Sequence, residues 1–411
     1  MVHESWRRNL FILWCGVLIT SSSFSMVIPF LPLFLLKIGV HQHVELWSGL
    51  LFSVAFLFSA MMSPYWGSLA DKYGRKPMIL RSGFVLCLVY LLDAFVTNPY
   101  QLLFLRALQG LLSGYIPSAI ALVATNTPED KVGYALAMIS TSTSTGSIVG
   151  PLLGGGLARL FNYRVAFGSA GAIMLIATTL VWLWVREDRF VPAKTRSSVL
   201  DAWKIAGSNK PLLITLVITW LTSISVMTIE PVLPLYIAQI GGSLNNASLL
   251  AGITFSIAGV ASVLFAARWG KFADKIGFRT VLLIGLVGGG LGNLAQIPFH
   301  EIWGFSVVRF VYGAFFCAVF PALNGMVVQH TDPEFRGRAF GLNQTANQVG
   351  TLLGPLMGGF LGGTCGVHSV FLLTGALLLV TAGVTYIGQR LGPNRSRVAG
   401  CETPKSPHSL P

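Results

Sequence analysis

Twelve apolar runs, each about as long as a helix that crosses a bilayer, take up most of this chain. They fall near residues 10–36, 47–66, 78–97, 101–124, 133–158, 163–185, 211–239, 248–267, 280–298, 302–327, 337–362 and 367–389. Short polar or Gly/Pro-rich breaks separate them, so neighbours run antiparallel. In hydrocarbon every backbone polar group must be satisfied internally, and a lone segment does that only as a helix. The chain is 53% hydrophobic and 10% charged, whereas a soluble domain carries about a quarter charged residues. A soluble globule is excluded; the fold class is an all-α membrane protein with twelve transmembrane helices. The first run follows Arg7 and Arg8, as a secretory leader would. It is too long for a leader's apolar core and lacks a clear cleavage site, so it reads as a retained span.

The runs form two related sets of six. A charged hinge, Gly67 to Pro77, separates the second and third runs, and a similar stretch, Gly270 to Arg279, separates the eighth and ninth. Each carries an Asp three residues before a Gly: Asp71 and Gly74, Asp274 and Gly277. Pro29 and Pro32 match Pro231 and Pro234, Arg106 matches Arg309, and Pro117 matches Pro321. Gly146, Gly150, Pro151, Gly154 and Gly155 match Gly350, Gly354, Pro355, Gly358 and Gly359. Every pair is offset by 202 to 204 residues. The expected organisation is two repeat-related six-helix bundles, 1–185 and 211–390. Residues 186–210 are expected to be a charged cytoplasmic linker with a short amphipathic helix near Val199–Ala206, and 391–411 a disordered cytoplasmic tail. A bundle built this way places a transported molecule between its halves near the midplane.

Charge sets the orientation. With an even number of spans both termini share a side, and calling that side cytoplasmic puts 23 of the 28 Lys and Arg there. Lys37, Arg159 and Arg164 fall outside, and Arg106 and Arg309 within spans. The positive-inside rule therefore favours cytoplasmic termini. The basic surplus reflects topology beside a lipid bilayer and is not a nucleic-acid footprint.

The hinge Gly67–Lys76, the fourth-span run Leu105-Arg106-Ala107-Leu108-Gln109-Gly110 and the Gly-Pro pattern of the fifth span together resemble the major facilitator superfamily, across essentially the whole chain. Within it the likeness is to bacterial twelve-span drug–proton antiporters. Lys72 stands where the signature has Arg, and the second hinge departs further, with Phe272 for Leu and Phe278 for a basic residue. The resemblance implies a gating role for Gly67, Asp71, Gly74, Arg75, Asp274 and Gly277. It also implies a part for Arg106 in proton coupling, and an antiporter hinge at Gly146, Gly150, Pro151 and Gly154 with its copy at Gly350, Gly354, Pro355 and Gly358.

Each of these has a plainer alternative. Asp71 could be a solvated turn acid balancing its basic neighbours, and Arg106 a structural arginine bonding backbone carbonyls. The glycine stripe could be generic small-residue packing. Among acids in apolar surroundings, Glu230 is a candidate proton carrier because burial favours its neutral form, unless it reaches external water. Asp93 reads as an acid near the outer end, reaching water. The first span, where several relatives carry a coupling carboxylate, has no acid. Ser140 and Ser144 in the fifth run, and Asn343, Gln344, Asn347 and Gln348 in the eleventh, are candidates to line a wet cavity, with Tyr115 beside them.

Cys15, Cys87, Cys317, Cys365 and Cys401 have no metal-ligand spacing and read as small core residues. There is no phosphate-binding Gly-x-x-x-x-Gly-Lys loop, so neither a cofactor nor ATP-driven chemistry is expected. The leading expectation is export of small amphipathic molecules in exchange for protons, by a monomer in the bacterial inner membrane. The rivals are a dedicated exporter of one metabolite, such as a siderophore or sugar, and a sensor that keeps the fold without turnover.

Overall fold

A computed structural model describes residues 2–128, 131–187, 204, 207–241, 244–332 and 335–391. The expected linker helix lies almost wholly outside the described residues, and the expected disordered tail entirely so. Among the described residues sixteen helices make the twelve spans, and no strand occurs. Eight spans are single helices: α3 (Val44–Tyr73), α4 (Arg75–Asp93), α7 (Val132–Leu160), α8 (Tyr163–Trp184), α11 (Leu244–Ile276), α12 (Phe278–Leu294), α15 (Arg336–Cys365) and α16 (Val367–Leu391). The first, fourth, seventh and tenth spans are each broken in two. These are α1 (Val2–Val27) with α2 (Leu31–Lys37), and α5 (Pro99–Leu111) with α6 (Tyr115–Asn126). In the second half they are α9 (Lys210–Ile229) with α10 (Leu233–Ile240), and α13 (Ile302–Phe316) with α14 (Val319–Gln329).

The breaks have local causes. Pro29 and Pro231 lack the N–H that would continue the ladder, and each ring crowds the preceding turn. Pro32 and Pro234 sit at the starts of α2 and α10, where no N–H is needed. The fourth span breaks before Gly114, at φ +131°. Carbonyls freed at a break need donors inside the protein. The Trp66 indole donates to Leu111 O at 2.8 Å, and Trp269, its repeat counterpart, donates to Ala314 O at 2.7 Å. Arg81 lies across the Trp66 ring, 3.3 Å from its centroid, and donates to Ser113 O. It is thus two turns inside α4, which corrects its place on the cytoplasmic side of the charge count.

The eleven-residue hinge is a correction too. α3 continues through it to Tyr73, and one residue, Gly74 at φ +101°, makes the turn. Gly277 at φ +86° does the same between α11 and α12. An L side chain is strained there, so only glycine reverses the chain this tightly. The first two N–H groups of α4, on Arg75 and Lys76, donate to the Glu187 carboxylate at 2.8 and 2.9 Å. An anion at a helix N-terminus is favourable. Asn9 and Asn126 both donate to Arg186 O, at 2.7 and 2.8 Å. The start of the chain, the first hinge and the end of the sixth span therefore share one face, called here the hinge face. Asn209 bonded to His330 O, and Arg279 to Thr385 O, mark it in the second half.

Candidate functional site

Glycine brings helices together in two directions. Gly146, Gly150 and Gly154 of α7 lie against Leu18, Ser21, Ser22, Ser25 and Met26 of α1, inside the first half. Gly350, Gly354 and Gly358 of α15 lie against Trp220, Ser223, Ile224, Met227 and Thr228 of α9, inside the second. These stripes knit each half together.

The halves meet along another side of the same two helices. Gly252 of α11 sits against the Pro151 carbonyl, Gly155 against that of Ser248, and Ser256 Oγ donates to Ile148 O at 2.6 Å. The repeat copies this seam: Gly49 of α3 sits against the Pro355 carbonyl, Gly359 against that of Glu45, and Ser53 Oγ donates to Leu352 O at 2.8 Å. Ser248 adds a 3.3 Å bond to Tyr163 across the halves. Both seams involve the first turns of α3 and α11, at the face opposite the hinges. Towards the hinge face those helices separate from the other half. A Cβ at Gly67 or Gly270 would meet nothing within 4 Å. The two halves are joined at the far face and open at the hinge face.

By helical phase, Thr141 and Ser144 share the side of α7 that carries Ile148, Pro151 and Gly155. One turn nearer the hinge face they are exposed, with Ser140 at the margin. Thr345 and Gln348 hold the same position on α15, with Gln344 at the margin. Neither glutamine amide has a hydrogen-bond partner among the described residues. Two other candidates face elsewhere. Asn343 is buried, accepting from Thr219 at 2.7 Å and donating to Asn324 at 3.3 Å. Tyr115 is 1% exposed, pressed on Gly16. Asn347 is half-buried and accepts from Thr351 at 3.1 Å. The reason is geometric: residues adjacent in sequence point about 100° apart on a helix, so 343 and 344 cannot both face the gap.

Asp93 is wholly buried, not water-facing as the sequence suggested. It takes a 2.7 Å bond from Arg106 Nη2. Arg106 also donates to Gln109 at 2.6 Å, Gln109 donates to Tyr90, and the guanidinium lies 5.8 Å from the Phe167 ring centre. This pair is internal to the first half. Removing one partner of a buried pair leaves an uncompensated charge, which costs about 3–5 kcal/mol. Asp93→Ala is therefore expected to destabilise the protein by about that much, read as a large drop in unfolding temperature of the detergent-solubilised protein.

The second half is wired differently. Arg309 is 5% exposed and makes a long 3.4 Å contact to Gln296, with its ring neighbour Tyr312 at 4.9 Å. The carboxylate whose charge reaches it is Glu230, which is half-buried at the break of the seventh span and makes no direct ion pair with it. At the hinge, Asp71 is about half exposed and reaches Arg75 of the next helix at 3.5 Å.

Two repeat-related six-span bundles that share one orientation and touch along one face are a transporter architecture, and similarity to known proteins gives its family. The profile of the Major Facilitator Superfamily matches residues 13–268 and 231–407; the chain belongs to that superfamily. It is 37% identical over 396 residues to the multidrug resistance protein MdtG of Proteus mirabilis (strain HI4320), covering 94% of this chain and 97% of the relative. It is 38% identical to MdtG of Citrobacter koseri, covering 92% and 94%. Among solved structures, the nucleoside transporter NupG matches with TM-score 0.76 at 15% identity, over 94% of this chain and 99% of that one. A bacterial homologue of the human lysosomal transporter Spinster matches with TM-score 0.78 at 15% identity, over 94% and 97%. These structural matches bear on the fold alone.

Ser53, Ser256, Gly49 and Gly252 were not singled out from sequence. A signal was there: a Gly and a Ser four residues apart, in both the second and eighth runs, at the 203-residue offset. Glu187 and Gln296 carried no motif.

Proposed function

We propose that this protein exports small amphipathic molecules across the bacterial cytoplasmic membrane, in exchange for protons, by alternating access. The observation that carries the reading is the paired seam, which closes one face only and leaves a hydroxyl- and amide-lined gap at the other. With the hinge face cytoplasmic, as the distribution of Lys and Arg favours, the molecule is open to the cytoplasm and ready to load. The full-length likeness to multidrug resistance proteins supports a broad set of drugs as cargo. The gap lies between halves of one chain, divided at the linker 186–210, so a monomer suffices. Glu230 carries the coupled proton: Asp93 is committed to Arg106, whereas Glu230 lies within the electrostatic reach of Arg309 without pairing with it.

In inverted membrane vesicles, energised uptake of ethidium, rhodamine 6G and a bisbenzimide dye is expected to collapse when a protonophore is added. Uptake indifferent to the protonophore would refute proton exchange. Transport of none of the three dyes would refute multidrug cargo.

Asp71 acts at the other gate. When the hinge face closes, its carboxylate meets the second half, a contact of about 1–2 kcal/mol absent while that face is open. Asp71→Asn should insert normally and transport about 5- to 30-fold more slowly. Wild-type rates at equal expression would contradict this role.

A further inference from the structure

Shifting the first half's buried cluster by 203 residues maps Tyr90, Asp93, Arg106 and Gln109 onto Asn293, Gln296, Arg309 and Tyr312. The arginine stays and its aspartate becomes an amide. The acid reappears on a different helix, as Glu230 at the break between α9 and α10. By the offset of the prolines beside it, its own counterpart is the apolar Ile28. Gln296 is wholly buried. Its amide nitrogen donates to Gly292 O at 3.0 Å and Asn293 Oδ1 at 3.2 Å, which turns its carbonyl oxygen towards Arg309.

We propose that Gln296 is a positioning residue for proton coupling, a neutral acceptor that holds Arg309 whenever Glu230 is protonated. The proposal rests on the reading of Glu230 as the proton carrier. A buried guanidinium left without any acceptor is expensive. With Glu230 ionised, Arg309 is answered by charge; with Glu230 neutral, the Gln296 carbonyl is the acceptor that remains. Arg309 Nε already has no partner, so this acceptor matters. An aspartate at 296 would pair Arg309 permanently, as Asp93 pairs Arg106, and Glu230 would lose its grip on the cation. The charged and titratable groups whose field reaches Glu230 are Arg309 and Tyr312 of α13. Beyond the break, Tyr236 of α10 meets His368 of α16, and Glu45 of α3 packs at Gly362 beside Val232.

The test uses the purified full-length protein in liposomes with an imposed pH gradient and the best-transported of the three dyes. Gln296→Asp should bind dye with unchanged affinity and lose gradient-driven transport by about tenfold or more. Gln296→Leu removes the acceptor without adding charge, so protonating Glu230 strands Arg309. Its transport profile should move to lower pH by about half a unit to one unit. Glu230→Gln runs alongside. If it retains full gradient-driven transport, the reading of Glu230 fails. If Glu230→Gln is uncoupled while Gln296→Asp keeps full coupling, Gln296 has no positioning role. If Gln296→Asp does not fold, the leucine variant decides: an unshifted profile overturns the proposal.

Discussion

Gly252→Val is expected to abolish export while leaving a folded protein that still binds dye. Gly252 lies against the Pro151 carbonyl, with the Gly155 Cα 3.5 Å from where its Cβ would be. Neither backbone can retreat, because Gly154 is already seated on the Met26 carbonyl behind them. A branched side chain therefore wedges the far seam apart. Closing that seam is required once per cycle, so a wedge of even about 4 kcal/mol would leave the closed state near a thousandth of its normal population. In cells, dye export should fall to the level of cells lacking the protein. Gly168→Val is the comparison, since a Cβ there meets nothing within 4 Å; it should export normally. Normal export by Gly252→Val would mean that the two halves do not seal where they touch.

The second large effect belongs to Glu230. Glu230→Gln keeps the size and hydrogen-bonding capacity of the side chain and removes the proton. Dye binding should survive within about threefold, and gradient-driven transport should drop by at least tenfold, leaving only flow down the dye's own gradient. The wild-type rate should vary with pH while the variant's does not, because the group whose charge state alternates is gone. A variant that still follows the pH gradient would shift attention to Arg106 and Asp71.

The architecture was legible from the sequence because a membrane leaves so few options. Apolar length marked the spans, and a constant offset marked the two halves. The breaks at Pro29 and Pro231 were not foreseen, although the cause is local: neither proline can continue the helical ladder. The hinge misled because its charged residues look like a loop, although helix α3 carries them to Gly74 and only the glycine turns. Asp93 misled for the converse reason. Position along the chain put it near the surface, and nothing in the chain order revealed that Arg106, on the next span, reaches back 13 residues to bury it. The cavity candidates split by helical phase, which a list of polar residues ignores: Gln344 and Gln348 border the gap and Asn343 does not. The seam was hidden because small residues on α3 and α11 have meaning only against the carbonyls of α7 and α15. That pairing across more than a hundred residues is a property of the fold.

One measurement bears most directly on drug–proton exchange through Glu230. Purified protein in weakly buffered detergent solution is mixed with a transported dye at neutral pH, and the protons released are counted with a pH indicator. Protons should be released on dye binding by the wild type, and none by Glu230→Gln at matched occupancy. Equal release by both proteins, or no release by a wild type that binds the dye, would contradict exchange through Glu230.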